Sequence, residues 1–221
     1  MTDYHSLEER LAGALQLRRR PVAVSFRATP PATVAAFTGT EPAGCGFWRL
    51  AAEGRTFYTL PRDHYNCAIG SYTHSIKLPA ERAQEPDQTL ALMSGLGYLD
   101  MNEIPNLLQL SDTPQVVIYA PLGDTPVDPD VVLFMGTPGR LMLLGEAARR
   151  AGVATQVPLL ARPTCMALPA ALASGVVASA GCIGNRIYTG LSDEELYVVV
   201  PGKVVARVAE EVRLITAANA Q

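Results

Sequence analysis

One order of motifs occurs twice along this chain, and the repetition limits the folds open to it. Val22 to Pro30 reads as a short apolar strand closing on Phe26, with Thr29-Pro30 behind it; Val131 to Pro138 repeats this with Phe134 and Thr137-Pro138. Cys45 then opens a short helical run that closes at Gly54, and Cys165 opens another that closes at Gly175. Each half next supplies a strand and a second cysteine, in Cys67-Ala-Ile-Gly70 and in Cys182-Ile-Gly184. Four matches in one order point to an internal duplication, with a first lobe over 1–110 and a second over 111–221. The extra length of the second copy falls in a helix at 139–151 and a loop at 153–164.

The remaining periodicities fill in an α/β chain. Residues 6–17 carry Leu7, Leu11, Leu15 and Leu17 roughly on one helical face, with Ser6 as N-cap and Glu9 three positions on. Strands are expected at 21–26, 56–60, 115–120, 130–134, near 176–180 and at 196–200. Helices are expected at 46–53, 139–151, 166–173 and 203–217, with helical patterning around Gln88–Leu99 and Ile104–Leu110. Interleaved strands and helices favour a mixed sheet with helical cover. No linker separates the halves, so the two pseudo-symmetric lobes should pack as one unit.

Composition excludes several functions. Hydrophobic residues make up 48% and charged residues 18%, with a net charge of −3 and a pI near 5.6, which argues against nucleic acid as a partner. Arg18-Arg19-Arg20 ends a helical pattern, where positive charge suits the helix's negative pole. No stretch approaches the roughly 20 apolar residues of a membrane span, and the N-terminus lacks the form of an export signal. The cytoplasm is the expected location, where four cysteines act as thiols, ligands or catalysts more often than as disulfides. A homo-oligomer is compatible with this composition. Phosphate loops, Gly-x-Gly-x-x-Gly, His-Glu-x-x-His and Gly-x-Ser-x-Gly are all missing, so nucleotide hydrolysis, zinc proteolysis and esterase chemistry lose their usual support.

All four cysteines occupy repeat-equivalent positions. If the copies pack about a pseudo-twofold axis, Cys45, Cys67, Cys165 and Cys182 converge on one site. Cys45 and Cys165 would sit at helix N-termini, where free N–H groups stabilise a thiolate. Gly70 and Gly184 would let backbone N–H groups approach a bound group closely. The leading expectation is an iron–sulfur cluster, most simply 4Fe–4S, in an electron-transfer or sulfur-handling role. With four ligands no iron is open to substrate; with one cysteine free, an open iron would suit an iron–sulfur oxidoreductase or sulfur-handling enzyme. Three other readings stand beside it: a non-catalytic small-molecule-binding or regulatory domain with buried structural thiols, a four-cysteine zinc site, and a disulfide or thiol-redox pair. Against zinc and the redox pair stands the absence of Cys-x-x-Cys spacing.

Polar residues near the cysteines supply further candidates. His64, in Asp63-His64-Tyr65-Asn66-Cys67, would serve as proton donor or replacement ligand if it does not simply face water. Tyr72 and His74 follow within a turn of Gly70 and are candidate pocket residues. Arg186 and Tyr188 come just after Cys182; Arg186 would anchor a small anionic substrate or the cluster's charge, and Arg162 would aim at the same site. A redox partner protein is the other expected partner. Trp48, the only tryptophan, reads as core.

Together these segments resemble a known family. Arg20-Pro-Val-Ala-Val24, Cys45-x-x-Trp48, Asp63-His64-x-x-Cys67 and Gly181-Cys-Ile-Gly-Asn-Arg-x-Tyr-Thr-Gly-Leu191 are similar to the uncharacterised "domain of unknown function 169" family of archaea and bacteria. The likeness spans nearly the whole chain, most distinctively from Arg162 to Gly202. It implies a stand-alone domain of a kind found in many anaerobes, a setting suited to oxygen-sensitive metal chemistry. It carries no activity.

Overall fold

The β-branched runs of this chain are buried on both faces, and their burial dictates a central sheet with helices above and below. A computed structural model describes residues 2–102, 107–156 and 163–219. Seven strands form one sheet: β1 (Val22–Arg27), β2 (Phe57–Thr59), β3 (Val116–Pro121), β4 (Val131–Gly136), β5 (Thr155–Gln156), β6 (Val176–Ser179) and β7 (Leu196–Pro201). Their order is β2-β3-β1-β4-β7-β6-β5, antiparallel throughout except for β5 on β6.

Eight helices cover it among the described residues: α1 (Tyr4–Leu15), α2 (Gly46–Ala52), α3 (Ala68–Thr73), α4 (Glu85–Gly95), α5 (Pro138–Arg150), α6 (Ala167–Ser174), α7 (Ile183–Thr189) and α8 (Gly202–Asn219). Alternate strand residues serve the two layers. Val22, Val24, Val131, Leu133 and Val199 pack with α2 and α6 on one face. Ala23, Val132, Phe134, Val198 and Val200 pack with α1, α5 and α8 on the other. The mixed α/β class expected from the sequence is the class observed.

The centre of the sheet is the antiparallel pair β1 and β4, with Ala23 opposite Val132. On either side the register matches: Val22 of β1 opposes Pro121, the last residue of β3, and Val131 of β4 opposes Pro201, the last of β7. The next backbone bonds match as well. Leu122 N donates to Pro21 O at 2.8 Å, and Gly202 N donates to Asp130 O at 2.7 Å. β3 lies beyond residue 110 yet pairs with both β1 and β2.

Side-chain clamps fix the helices to this frame. Arg19 donates to the carbonyls of Thr189 and Gly190 at 2.7 and 2.5 Å, and Arg20 reaches Glu8 at 2.5 Å and Asp124 at 2.7 Å. The basic run thus ties α1 to the rest of the chain. Asp3, not Ser6, caps α1: its carboxylate accepts from Ser6 N at 3.1 Å, moving the helix start three residues earlier than the sequence suggested. Of the helix expected at 104–110, residues 104–106 lie outside the described residues, and 107–110 are not helical. No helix among those described is long and apolar enough to cross a membrane.

Candidate functional site

Four helix starts point into one cavity. Cys45, Cys67 and Cys182 are the N-cap residues of α2, α3 and α7, and Cys165 lies in a single 3-10 turn, Thr164–Met166, that leads into α6. All four side chains line a cavity of about 310 Å³ beneath α4, with Trp48 and Tyr119 contributing to its wall. The two helices α3 and α7 escaped the sequence reading because each is short and carries glycine and β-branched residues, poor helix formers by themselves.

The thiols ring the cavity without forming a ligand set. Cys67 Sγ accepts from Gly70 N at 3.3 Å, while the Cys165 thiol faces Ile69 O at 3.9 Å. Among the described residues no three His, Cys, Asp or Glu side chains are grouped so as to hold a metal ion, and all four cysteines are free. The expected iron–sulfur cluster and its redox or sulfur-handling role are therefore corrected, together with the four-cysteine zinc alternative. Burial pushes the Cys45 thiol up to about 12, with its neighbours Cys67 and Cys182 adding to the rise. Burial also raises Cys67 and drives Cys165 far above the ordinary thiol range. In the metal-free chain desolvation outweighs the helix N-termini that were expected to favour thiolates.

Histidine chemistry is also set by burial. His64 is 2% exposed, not a loop residue facing water. Thr59 Oγ1 donates to Val117 O at 3.3 Å and stands 2.8 Å from His64 Nε2, which assigns the His64 proton to Nε2. His64 stacks on His74 with centroids 5.5 Å apart and packs edge-on against Phe47. His74 Nδ1 stands 2.8 Å from Gly70 O, and a carbonyl can only accept, so Nδ1 carries the proton and Nε2 presents a lone pair. That Nε2 has no hydrogen-bond partner among the described residues. Burial lowers His74 to about 4 and His64 well below its ordinary value, so both rings are neutral at pH 7.

Asn185 is the second unpaired group in the cavity wall. It is 2% exposed and lines the cavity, and neither its amide nitrogen nor its oxygen has a partner among the described residues. The Cys45 thiol and Tyr197 hydroxyl both feel the amide, but neither completes a hydrogen bond with it. Tyr197 donates instead to Thr189 Oγ1 at 2.8 Å. The sequence reading passed over Asn185; its position three residues after Cys182 was the only available hint.

The other expected residues divide. Gly70, Gly184, His64 and Tyr188 line the cavity with the cysteines. Trp48, 1% exposed, is both core and cavity wall, with its ring edge-on to Tyr197 at 5.7 Å. Tyr72 packs instead in a small cluster around Ile69 and Leu90. Arg186 is not part of the wall. Its guanidinium donates to Ala180 O at 2.5 Å, Glu195 O at 3.3 Å and Ser192 O, and meets Asp193 at 3.5 Å. These bonds close the loop after α7 and leave no fork for an anionic substrate. Arg162 lies outside the described residues.

Fold and site together define a three-layer α/β protein with an apolar cavity where thiols, two neutral imidazoles and a buried amide meet. The family model described as DUF169, "Uncharacterised ArCR", matches residues 10–211. The chain belongs to that family. No curated protein and no solved structure matches it.

Proposed function

We propose that this protein binds a small, mainly apolar molecule in the cavity beneath α4, with His74 and Asn185 as its polar contacts. The observation that carries the reading is the pair of unpartnered buried groups in an otherwise apolar wall. An unsatisfied buried polar group costs about 1–3 kcal/mol, and a ligand that bonds to it removes that cost. The cavity, near 310 Å³, is at the small end of the usual range for ligand sites.

Asn185→Leu tests the proposal. The variant keeps the volume and removes both unpaired atoms, so the ligand-free protein should gain about 1–2 kcal/mol in urea unfolding. Native mass spectrometry of the purified wild type should show an adduct of small-molecule mass that the variant retains poorly. Loss of stability with unchanged occupancy would contradict the role of Asn185.

We also infer that the sheet arose by duplication, β2-β3-β1 and β6-β7-β4 being related by a pseudo-twofold axis between β1 and β4. Support comes from the matched registers of Val22 with Pro121 and Val131 with Pro201, and from the matched bonds of Leu122 and Gly202. On this reading the seam falls in the turn after β3, not at residue 110, and α2 with α3 corresponds to α6 with α7. The cavity then lies where the helix starts of the two halves face each other.

A further inference from the structure

The cavity's lack of charge and its rim narrow the class of ligand, on the reading that it binds a small molecule. Among the described residues no Lys, Arg, Asp or Glu lines it, and the two histidines are neutral. A carboxylate, phosphate or ammonium group placed there would lose its water with no countercharge, at a cost far above that of a hydroxyl. The polar contacts are themselves buried, at 3% exposure for His74 and 2% for Asn185. Other lining residues reach solvent: Leu96 after α4 is 64% exposed, Ile183 on α7 is 50% exposed, and Tyr98 and Tyr188 are partly so. Leu92 and Ile187, four residues from Leu96 and Ile183 along the chain, are exposed too, at 62% and 68%. Exposed apolar residues at the rim of an apolar cavity suit a ligand whose tail extends past the wall.

We infer that the ligand is an uncharged single-chain amphiphile with a hydroxyl head, a long-chain or isoprenoid alcohol. A hydroxyl offers one donor and two acceptor positions. His74 Nε2 accepts its proton, and the Asn185 amide nitrogen donates to its oxygen. The tail leaves between α4 and α7, where Leu92, Leu96, Ile183 and Ile187 cover it.

Displacement of an apolar fluorescent dye by decanol, decyl methyl ether and decanoate provides the test, each used below its solubility limit. Decanol should bind about tenfold or more tightly than the ether, which lacks the donor, and than the charged decanoate; tenfold corresponds to 1.4 kcal/mol. His74→Phe should remove the preference for alcohol over ether while the dye still binds; should it not fold, Asn185→Leu, which loses the donor to the oxygen, should weaken decanol and the ether alike, and unchanged binding of both would overturn the proposed head contact. Equal binding of all three compounds, or tighter binding of decanoate, would overturn the hydroxyl head and leave an apolar site. If neither the dye nor any of the three binds, the small-molecule reading itself fails.

Discussion

At pH 8, Cys45 in the folded protein is expected to react with iodoacetamide on the order of 10³ times more slowly than in the urea-unfolded chain, because only the thiolate attacks. An unfolded cysteine with a pKa of about 8.5 is roughly one-quarter ionised at pH 8. Burial, reinforced by Cys67 and Cys182, holds the Cys45 thiol at about 12, where the ionised fraction is on the order of 10⁻⁴. Cys165 should be protected in the same direction. The competing influence is too small to reverse this: a helix N-terminus contributes about 0.3–1 kcal/mol, while a shift of some three pKa units amounts to about 4 kcal/mol. A timed alkylation followed by peptide mass mapping reads the ratio. Labelling of Cys45 within about tenfold of the unfolded rate would mean that the site stabilises a thiolate after all.

Acid should destabilise the protein well before its carboxylates are fully protonated. His74 has its pKa lowered from 6.5 to about 4 by burial, and burial lowers His64 well below its ordinary value, with His74 beside it adding to the effect. Above pH 6.5 both folded and unfolded chains hold neutral rings, and these groups add no pH dependence. Between pH 6.5 and 4 the unfolded chain takes up protons that the folded chain refuses, so stability falls as pH falls. His74 alone should cost about 3 kcal/mol by pH 4, and His64 adds to the loss. Where both unfolded rings are protonated, the slope approaches about 2.7 kcal/mol per pH unit, twice the value for one proton. Urea unfolding at a series of pH values measures it, and His74→Phe should remove about half the slope. A flat profile from pH 6.5 to 4.5 would show that the rings are not buried as neutral bases.

Much of the fold was legible because strand runs such as Val116–Pro121 and Val131–Gly136 are buried throughout, and burial of that kind leaves a continuous apolar signature in sequence. β5 and the short helices α3 and α7 were not, since tertiary contacts rather than intrinsic propensity hold them. The repeated order of motifs singled out Cys45, Cys67, Cys165 and Cys182, and all four line one cavity. Its limit lies in geometry. Spacing along a chain says which groups become neighbours, but whether thiols converge as ligands or stand around a void depends on the direction of each side chain. Likewise, the Gly184–Gly190 segment displayed Arg186 prominently, yet nearby carbonyls consume that guanidinium. The quieter Asn185 is left unpaired in the cavity wall. An unsatisfied atom is defined by what surrounds it, and no local pattern encodes it.

High-resolution diffraction from crystals of the protein as purified examines the cavity wall directly. Continuous density for an organic molecule is expected, with one polar atom at hydrogen-bonding distance, about 3 Å, from His74 Nε2 and another contact to the Asn185 amide. Ordered water alone at both groups, or strong metal density bonded to the cysteine sulfurs, would contradict it.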